Sequence, residues 1–227
     1  MCARYSLIAS AEDLVAWFKL RKELELAPRY NIAPTQPVGV VRQEPEGGGR
    51  RFDLMHWGLI PHWAKDASFA RTTINARSET ATEKPSFRAA FRRRRCLVPV
   101  SGYYEWQKTG GAKQPYFIRM GDGGVFAFAG LWESWSSPEG SEIDSCTILT
   151  MAPNERMAAI HDRMPVILPP ERYAAWLDTG QTHSGPALDL IRPIPEEALT
   201  AIPVTPHVNN PRHEGPQCIA PQAGDGV

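Results

Sequence analysis

A single α+β domain dominated by antiparallel strands is what this sequence predicts, and three observations predict it. The chain has 227 residues with 21 prolines and 18 glycines, a composition that favours many short elements joined by turns over long helices. Its apolar runs are short and bounded by Gly or Pro clusters, as strands are. Helical spacing occurs only in brief stretches between them. This length suits one domain or at most two, and neither a repeat nor a linker divides it. Hydrophobic residues make up 42% and charged residues 22%, which is ordinary globular composition. Lys plus Arg equals Asp plus Glu at 25 each, so any nucleic-acid contact must come from a local patch.

The elements follow in order. Residues 2–8 read as a short strand. Ser10 and Asp13 fit a capping box ahead of a helix running to about Leu24, with Leu14, Trp17, Phe18 and Leu24 on one side. Residues 29–35, Arg29-Tyr30-Asn31-Ile32-Ala33-Pro34-Thr35, read as a loop ended by Pro34 and Pro37. Strands over Val38–Arg42 and Arg51–Trp57 are joined by a turn at Gly47-Gly48-Gly49. An irregular stretch, Gly58 to Asp66, precedes an extended segment holding Asn75-Ala76-Arg77. Pro85-Ser86 starts a helix with Phe87, Ala90 and Phe91 on its apolar face and Arg88, Arg92 and Arg95 on another. A buried strand, Cys96–Val100, leads into Gly102-Tyr103-Tyr104-Glu105-Trp106. Turns at 108–111 and 121–124 make two hairpins. A strand over Ser145–Met151 runs into a helix from Asn154 to about His161. Val166–Leu168 is a strand, Pro169-Pro170-Glu171 starts a helix, and a last strand covers Ala201–Val204. The final residues, from about 216, read as a loose tail.

No basic start followed by an apolar run opens the chain, and no apolar stretch is long enough to span a bilayer. The expectation is a soluble, cytoplasmic protein, monomeric, with no cofactor. Cys2, Cys96, Cys146 and Cys218 are scattered without a C-x-x-C pair, and His56 and His62 match no regular ligand spacing, so no metal is expected. Cys96 and Cys146 lie in apolar runs and read as reduced core residues.

The opening stretch, Met1-Cys2-Ala3-Arg4-Tyr5, offers unusual chemistry. Once Met1 is removed, Cys2 carries both a free α-amine and a thiol. The amine condenses with an aldehyde to an imine, and the thiol closes on it to give a thiazolidine. With an unperturbed amine pKa of about 7.7–8.0 and a thiol near 8.5, neither group needs a large shift to react. The competing reading is a frayed terminus. Glu105, between Tyr104 and Trp106, is either a desolvated acid/base with a raised pKa or an outward-facing strand residue. His161 is either a proton-exchanging imidazole or a helix-end His satisfied by the dipole and Asp162. Asn75 and Arg77 point to one face of an extended segment, which suits a phosphate site but also an ordinary loop. The run Arg92–Arg95 is a phosphate-binding edge or a solvated helix end. Trp57, Trp63 and Trp106 are stacking platforms or core.

The order of these motifs carries more than any one of them. Met1-Cys2-x-Arg4-Tyr5 is followed by Arg29 to Pro34, then by Trp57-Gly58-Leu59-Ile60-Pro61-x-Trp63. Asn75-Ala76-Arg77-x-Glu79-Thr80, Arg94 to Pro99, Gly102 to Trp106 and Ala129-Gly130-Leu131-Trp132 come next, and then Thr150 and His161-Asp162-Arg163-Met164-Pro165. Across almost its whole length the chain resembles the SRAP (SOS response-associated peptidase) family. The resemblance implies a single domain over residues 1–227, mainly antiparallel sheet forming a barrel-like core with peripheral helices. It implies a DNA-damage sensor that captures abasic sites in single-stranded DNA as a DNA–protein crosslink. On that basis Cys2 would form the thiazolidine, Asn75 would hydrogen-bond near the linkage, Glu105 would shuttle protons and support lyase and reversal chemistry, and His161 would act at the sugar oxygen. Arg4, Arg77 and Arg163 would hold phosphates. Pro34, Trp63 and Thr150 complete the expected DNA contacts. Two departures are visible: Ala3 where the family usually has Gly, and Ala64 where some relatives carry a second Trp. Two other functions compete. One is an N-terminal-nucleophile peptidase, acting on Met1 or in trans. The other is a non-covalent single-strand-binding module.

Overall fold

The computed structural model describes residues 2–22, 24–44, 48–180 and 184–222. Strand β1 (Tyr5–Leu7) leads into helix α1 (Ala11–Phe18), which Ser10 caps by accepting from the Asp13 amide at 3.0 Å. Strands β2 (Arg29–Ile32), β3 (Pro37–Gln43) and β4 (Arg50–Trp57) follow, then β5 (Asn75–Arg77) and α2 (Arg88–Arg93). Next come β6 (Arg95–Val100), β7 (Gly102–Thr109), β8 (Ala112–Met120), β9 (Phe126–Ser136) and β10 (Glu142–Met151). The last part holds α3 (Glu155–Ala158), β11 (Met164–Pro165), β12 (Ile167–Leu168), α4 (Tyr173–Leu177), α5 (Gly185–Asp189) and β13 (Leu199–Pro203).

The barrel is a closed ring of strands. β10 pairs parallel with β4, β4 antiparallel with β3, β3 with β6, β6 with β9, and β9 back onto β10. A ring this small is filled by its own side chains; Val38, Val40, Cys96, Val98, Phe128, Cys146 and Ile148 belong to one apolar cluster. Gly130 permits the closest approach. A Cβ there would stand 2.9 Å from Cys96 Sγ and 3.2 Å from the Thr147 carbonyl. β5 and β11 attach along β10, and β12 along β9. A second sheet, in the order β13-β8-β7-β1-β2, packs beside the ring.

The N-terminal arm is part of that second sheet. Tyr5 pairs with Tyr103 on β7 and with Ile32 on β2. Its ring meets Trp57 edge-on at 5.4 Å and Phe128 at 6.2 Å, contacts that contribute beyond the area they bury. The Tyr104 amide donates to the Arg4 carbonyl at 2.9 Å. Cys2, three residues before this anchor, is therefore buried rather than frayed.

Several elements differ from the sequence reading. α1 stops at Phe18 rather than near Leu24: Lys19 turns left-handed at φ +54° and Leu20 bridges to Arg50. Trp17 then faces solvent while Leu14 and Phe18 are buried. Residues 29–32 are a strand and not a loop, because β1 offers them an edge to pair with. The Gly47 part of the predicted turn lies outside the described residues, as does Met1. Arg95 does not share a solvent side with Arg88 and Arg92. It is buried on β6, where its guanidinium donates to the carbonyls of Trp176, Phe91, Arg92 and Asp178. Residues 216–222 are not loose: Pro216–Ile219 form a 3-10 turn, Cys218 is buried, and Pro221 bridges to Val204; residues 223–227 lie outside the described part. α5 forms in a stretch whose scattered prolines and glycines predict loop. All four cysteines are free.

Candidate active site

The site forms where the N-terminal arm crosses β5, β7 and the segment after α3. β5 runs parallel to β10, with Asn75 opposite Ile148 and Arg77 opposite Thr150. That pairing aims the Asn75 amide at the arm, and its Nδ2 donates to the Cys2 carbonyl at 2.7 Å. Burial raises the Cys2 thiol well above its ordinary range, and the nearby Glu105 charge adds to the rise. The small thiolate fraction that an unperturbed thiol would hold at neutral pH is therefore suppressed further in the resting site.

Glu105 lies on β7 opposite Tyr116. It is only 4% exposed, the desolvated alternative of the two readings. Desolvation pushes its carboxyl up to about 7, with the Asp162 charge adding to the rise. A carboxyl at that value exchanges protons in both directions at physiological pH. His161 approaches it, Nε2 standing 3.9 Å from Glu105 Oε2. Burial lowers the His161 pKa, so the ring is neutral at pH 7. Two neighbours compete for its other nitrogen. The Arg163 amide donates to Nδ1 at 3.0 Å, while the Asp162 carboxylate lies 2.9 Å from the same atom. One ring nitrogen cannot accept from the first and donate to the second. The amide belongs to a turn whose Arg163 side chain is tied down at Glu79 and Thr150, whereas the Asp162 side chain is 87% exposed and can turn into water. An Nδ1 that accepts from the Arg163 amide leaves the ring proton on Nε2, the nitrogen nearer Glu105.

The arginines are placed less simply than their spacing suggests. Arg77 projects into solvent from β5, as a phosphate ligand would. Arg4 is half-buried, and its Nη1 donates to Asn31 Oδ1 at 2.8 Å and to the Val208 carbonyl at 2.9 Å. It also lies over the Trp106 ring at 5.8 Å. Arg163 is held by a two-pronged pair with Glu79 and by the Thr150 carbonyl at 2.7 Å. Thr150 itself is fully buried. These contacts occupy donors that the sequence reading gave to phosphate.

Of the three tryptophans, Trp57 is core, with Nε1 donating to the Ile74 carbonyl. Trp63 is exposed at 48% and braced edge-on by Phe69 at 5.4 Å. Its loop begins at Gly58, whose φ of +135° and 2.4 Å Cβ-to-Ala70-carbonyl approach exclude any side chain. Pro34 sits on a neighbouring loop that Thr35 ties to the Trp57 carbonyl at 2.9 Å. Ala64 packs toward Ile60, Ala70 and Trp135, so it faces the protein and not a stacking surface.

Two residues inside the quoted motifs received no role from sequence. Asn31, fully buried, donates from Nδ2 to the Asn210 and His213 carbonyls at 3.0 and 2.9 Å while its Oδ1 holds Arg4. Glu79 holds Arg163. Nothing local in the sequence marks either, because their partners lie far along the chain. Among the described residues, no group of His, Cys, Asp or Glu is gathered as a metal would need.

Residues 1–211 match the SOS response associated peptidase (SRAP) family. The chain belongs to that family. This SRAP chain is 39% identical over 223 residues to abasic site processing protein YoqW of Bacillus subtilis, spanning 96% of this chain and 99% of the relative. It is 34% identical over 231 residues to abasic site processing protein HMCES of Rattus norvegicus, covering 86% of this chain and 65% of that longer protein. A solved Bacteroides thetaiotaomicron structure superposes on the SRAP fold with a TM-score of 0.88 at 26% identity, covering 97% of this chain and all of the other. A phage-related Bordetella bronchiseptica protein superposes with a TM-score of 0.71 at 31% identity, covering 89% of this chain and 94% of the other. No described helix is long and apolar enough to cross a membrane.

Proposed function

We propose that this protein senses abasic sites in single-stranded DNA and captures them covalently through Cys2 once Met1 has been removed. Relatives named abasic site processing proteins support the lesion as target. One observation carries the chemistry: Glu105, tuned to about 7, faces a neutral His161 at 3.9 Å beside a terminus anchored through Asn75.

The ring-opened sugar of an abasic site presents an aldehyde at C1′. The Cys2 amine adds to that carbon, and loss of water leaves an imine. Cys2 Sγ then adds to the imine carbon while its proton ends on the nitrogen, closing the thiazolidine. One aldehyde and one aminothiol give one thiazolidine and one water. Glu105 accepts the proton of the adding amine and returns it to the departing oxygen. It also takes the thiol proton as sulfur attacks, which a thiol raised by burial requires. The His161 Nε2–H hydrogen-bonds to the sugar ring oxygen and supports its opening. Arg77, exposed on β5, offers a cation for a flanking phosphate, and Trp63 the face for an unpaired base. Lyase action and reversal of the link would draw on the same Glu105.

Removal of Met1 is a limited form of the peptidase reading: Cys2 is the nucleophile for its own terminus. The test is a denaturing gel after incubation with single-stranded DNA carrying an abasic site. A shifted band with wild type, lost in Cys2→Ala, is expected. A band that persists in Cys2→Ala overturns the role of Cys2, and salt-sensitive binding with no band at all favours the non-covalent module. Intact-mass measurement reads the state of Met1 in the same sample.

A further inference from the structure

We propose that Glu79 is a positioning residue that sets the protonated nitrogen of His161, acting through Arg163. The proposal rests on the Glu105–His161 reading above. Glu79 Oε1 and Oε2 receive Arg163 Nη1 and Nη2 at 2.7 and 2.8 Å, a fork that only a planar guanidinium fits. The same Nη2 donates to the Thr150 carbonyl at 2.7 Å. Thr150 lies opposite Arg77 on one side and Pro165 on the other. One guanidinium thus ties together the residues just after β5, the strand β10 and the turn 161–163. The Arg163 side chain is 15% exposed and the Glu79 side chain 49%, so the fork is sheltered on its guanidinium side and open to solvent on its carboxylate side.

The consequence falls on the backbone of Arg163. Its amide donates to His161 Nδ1 at 3.0 Å, and a neutral imidazole that accepts at Nδ1 carries its proton at Nε2. The Asp162 carboxylate, 2.9 Å from the same Nδ1, favours the opposite arrangement. Which neighbour wins depends on whether the Arg163 amide is held in place, and Glu79 does the holding. When the turn is released, Asp162 takes Nδ1–H, and Nε2 turns a lone pair instead of a proton toward Glu105. Among the described residues the charged groups around the ring are Glu105 and Lys108 from β7 and Asp162 and Arg163 from its own segment, and the charge of the N-terminal amine also bears on it.

The experiment reads the tautomer without DNA. Nitrogen-15 NMR of the His161 ring in the full chain is expected to show Nε2–H in wild type. Glu79→Ala is expected to show a mixture or Nδ1–H, and Glu79→Gln, which keeps the shape but loses the charge, a partial change. With abasic single-stranded DNA, Glu79→Ala is expected to slow crosslinking by about tenfold or more with a displaced pH profile. Its affinity for undamaged single strands does not fall, because Glu79 is not a phosphate ligand and its loss frees the Arg163 donors. A tautomer unchanged in both variants overturns the proposal. If Glu79→Ala does not fold, the Glu79→Gln spectrum decides alone. If wild type forms no crosslink, the functional reading fails while the tautomer result still decides this one.

Discussion

Glu105 carries a pH consequence that falls in the physiological range. Its folded pKa of about 7 lies above the ordinary carboxylate value of 4.5 because burial penalises the charge. Between those values the folded chain keeps a proton that the unfolded chain has released, so stability falls as pH rises through that window, by roughly 3 kcal/mol in total. Glu105→Gln removes the penalty. The variant should be more stable than wild type at pH 8, with the gap closing by pH 4, as urea midpoints at the two pH values would show. The same variant should crosslink about a hundredfold more slowly or worse, since it can no longer exchange a proton. Trp63→Ala should weaken single-strand binding by about 1–3 kcal/mol, read by fluorescence anisotropy, with little change in Tm because the ring is half exposed. Arg77→Ala should reduce the slope of log K against log salt by about 0.7, the value for one single-strand phosphate.

At the scale of elements, β1 converts a reactive residue into a placed one. Three residues of strand and one aromatic ring hold the arm, with Tyr5 wedged between Trp57 and Phe128. Tyr5→Ala removes the wedge and should cost about 3–5 kcal/mol. Its sharper signature is functional: crosslinking should drop steeply although Cys2, Asn75 and Glu105 are all present, and a gel at a temperature where the variant is still folded would show it. The Trp63 loop depends in the same way on Gly58. Gly58→Ala meets both a forbidden φ and the Ala70 carbonyl, and should destabilise by about 1–3 kcal/mol or more, visible as a lowered Tm.

The whole molecule is organised around ring closure. β6, β9 and β10 each have hydrogen-bonded neighbours on both sides, whereas α5 is five residues long and mostly exposed. Native-state hydrogen exchange should therefore be slowest in those three strands and fast in α5; comparable rates in both would contradict a closed ring as the most stable unit. The site draws on this rigidity. β5 hangs from β10 and so carries Asn75 and Arg77 to the arm, while β7 belongs to the second sheet and brings Glu105 from the other side. Net charge is zero, so under the proposed function DNA recognition would fall to local cations such as Arg77 and an exposed ring such as Trp63 rather than to long-range attraction.

Much of this was readable along the chain. The strand-rich single domain, the hairpin at 108–111 and the buried run Cys96–Val100 each follow from turn residues and local periodicity, which short-range sterics dictate; the turn at 121–124 makes no hairpin, because β8 pairs with β7 and β13 while β9 joins the barrel beside β6 and β10. Cys2, Asn75, Glu105 and His161 stand out through residue chemistry and motif order. What the sequence could not give depends on partners distant in the chain. Residues 29–32 become a strand only because β1 supplies an edge, and α1 ends early because Leu20 joins β4. Arg95 is buried because the carbonyls that end α4 need its donors. Arg4 and Arg163 are claimed by Asn31, Val208 and Glu79, contacts spanning 27, 204 and 84 residues. The pKa of Glu105 and the tautomer of His161 belong to the same class. Residue identity supplies the titrating groups, but burial and hydrogen-bond geometry, which exist only in the closed fold, decide where their protons reside.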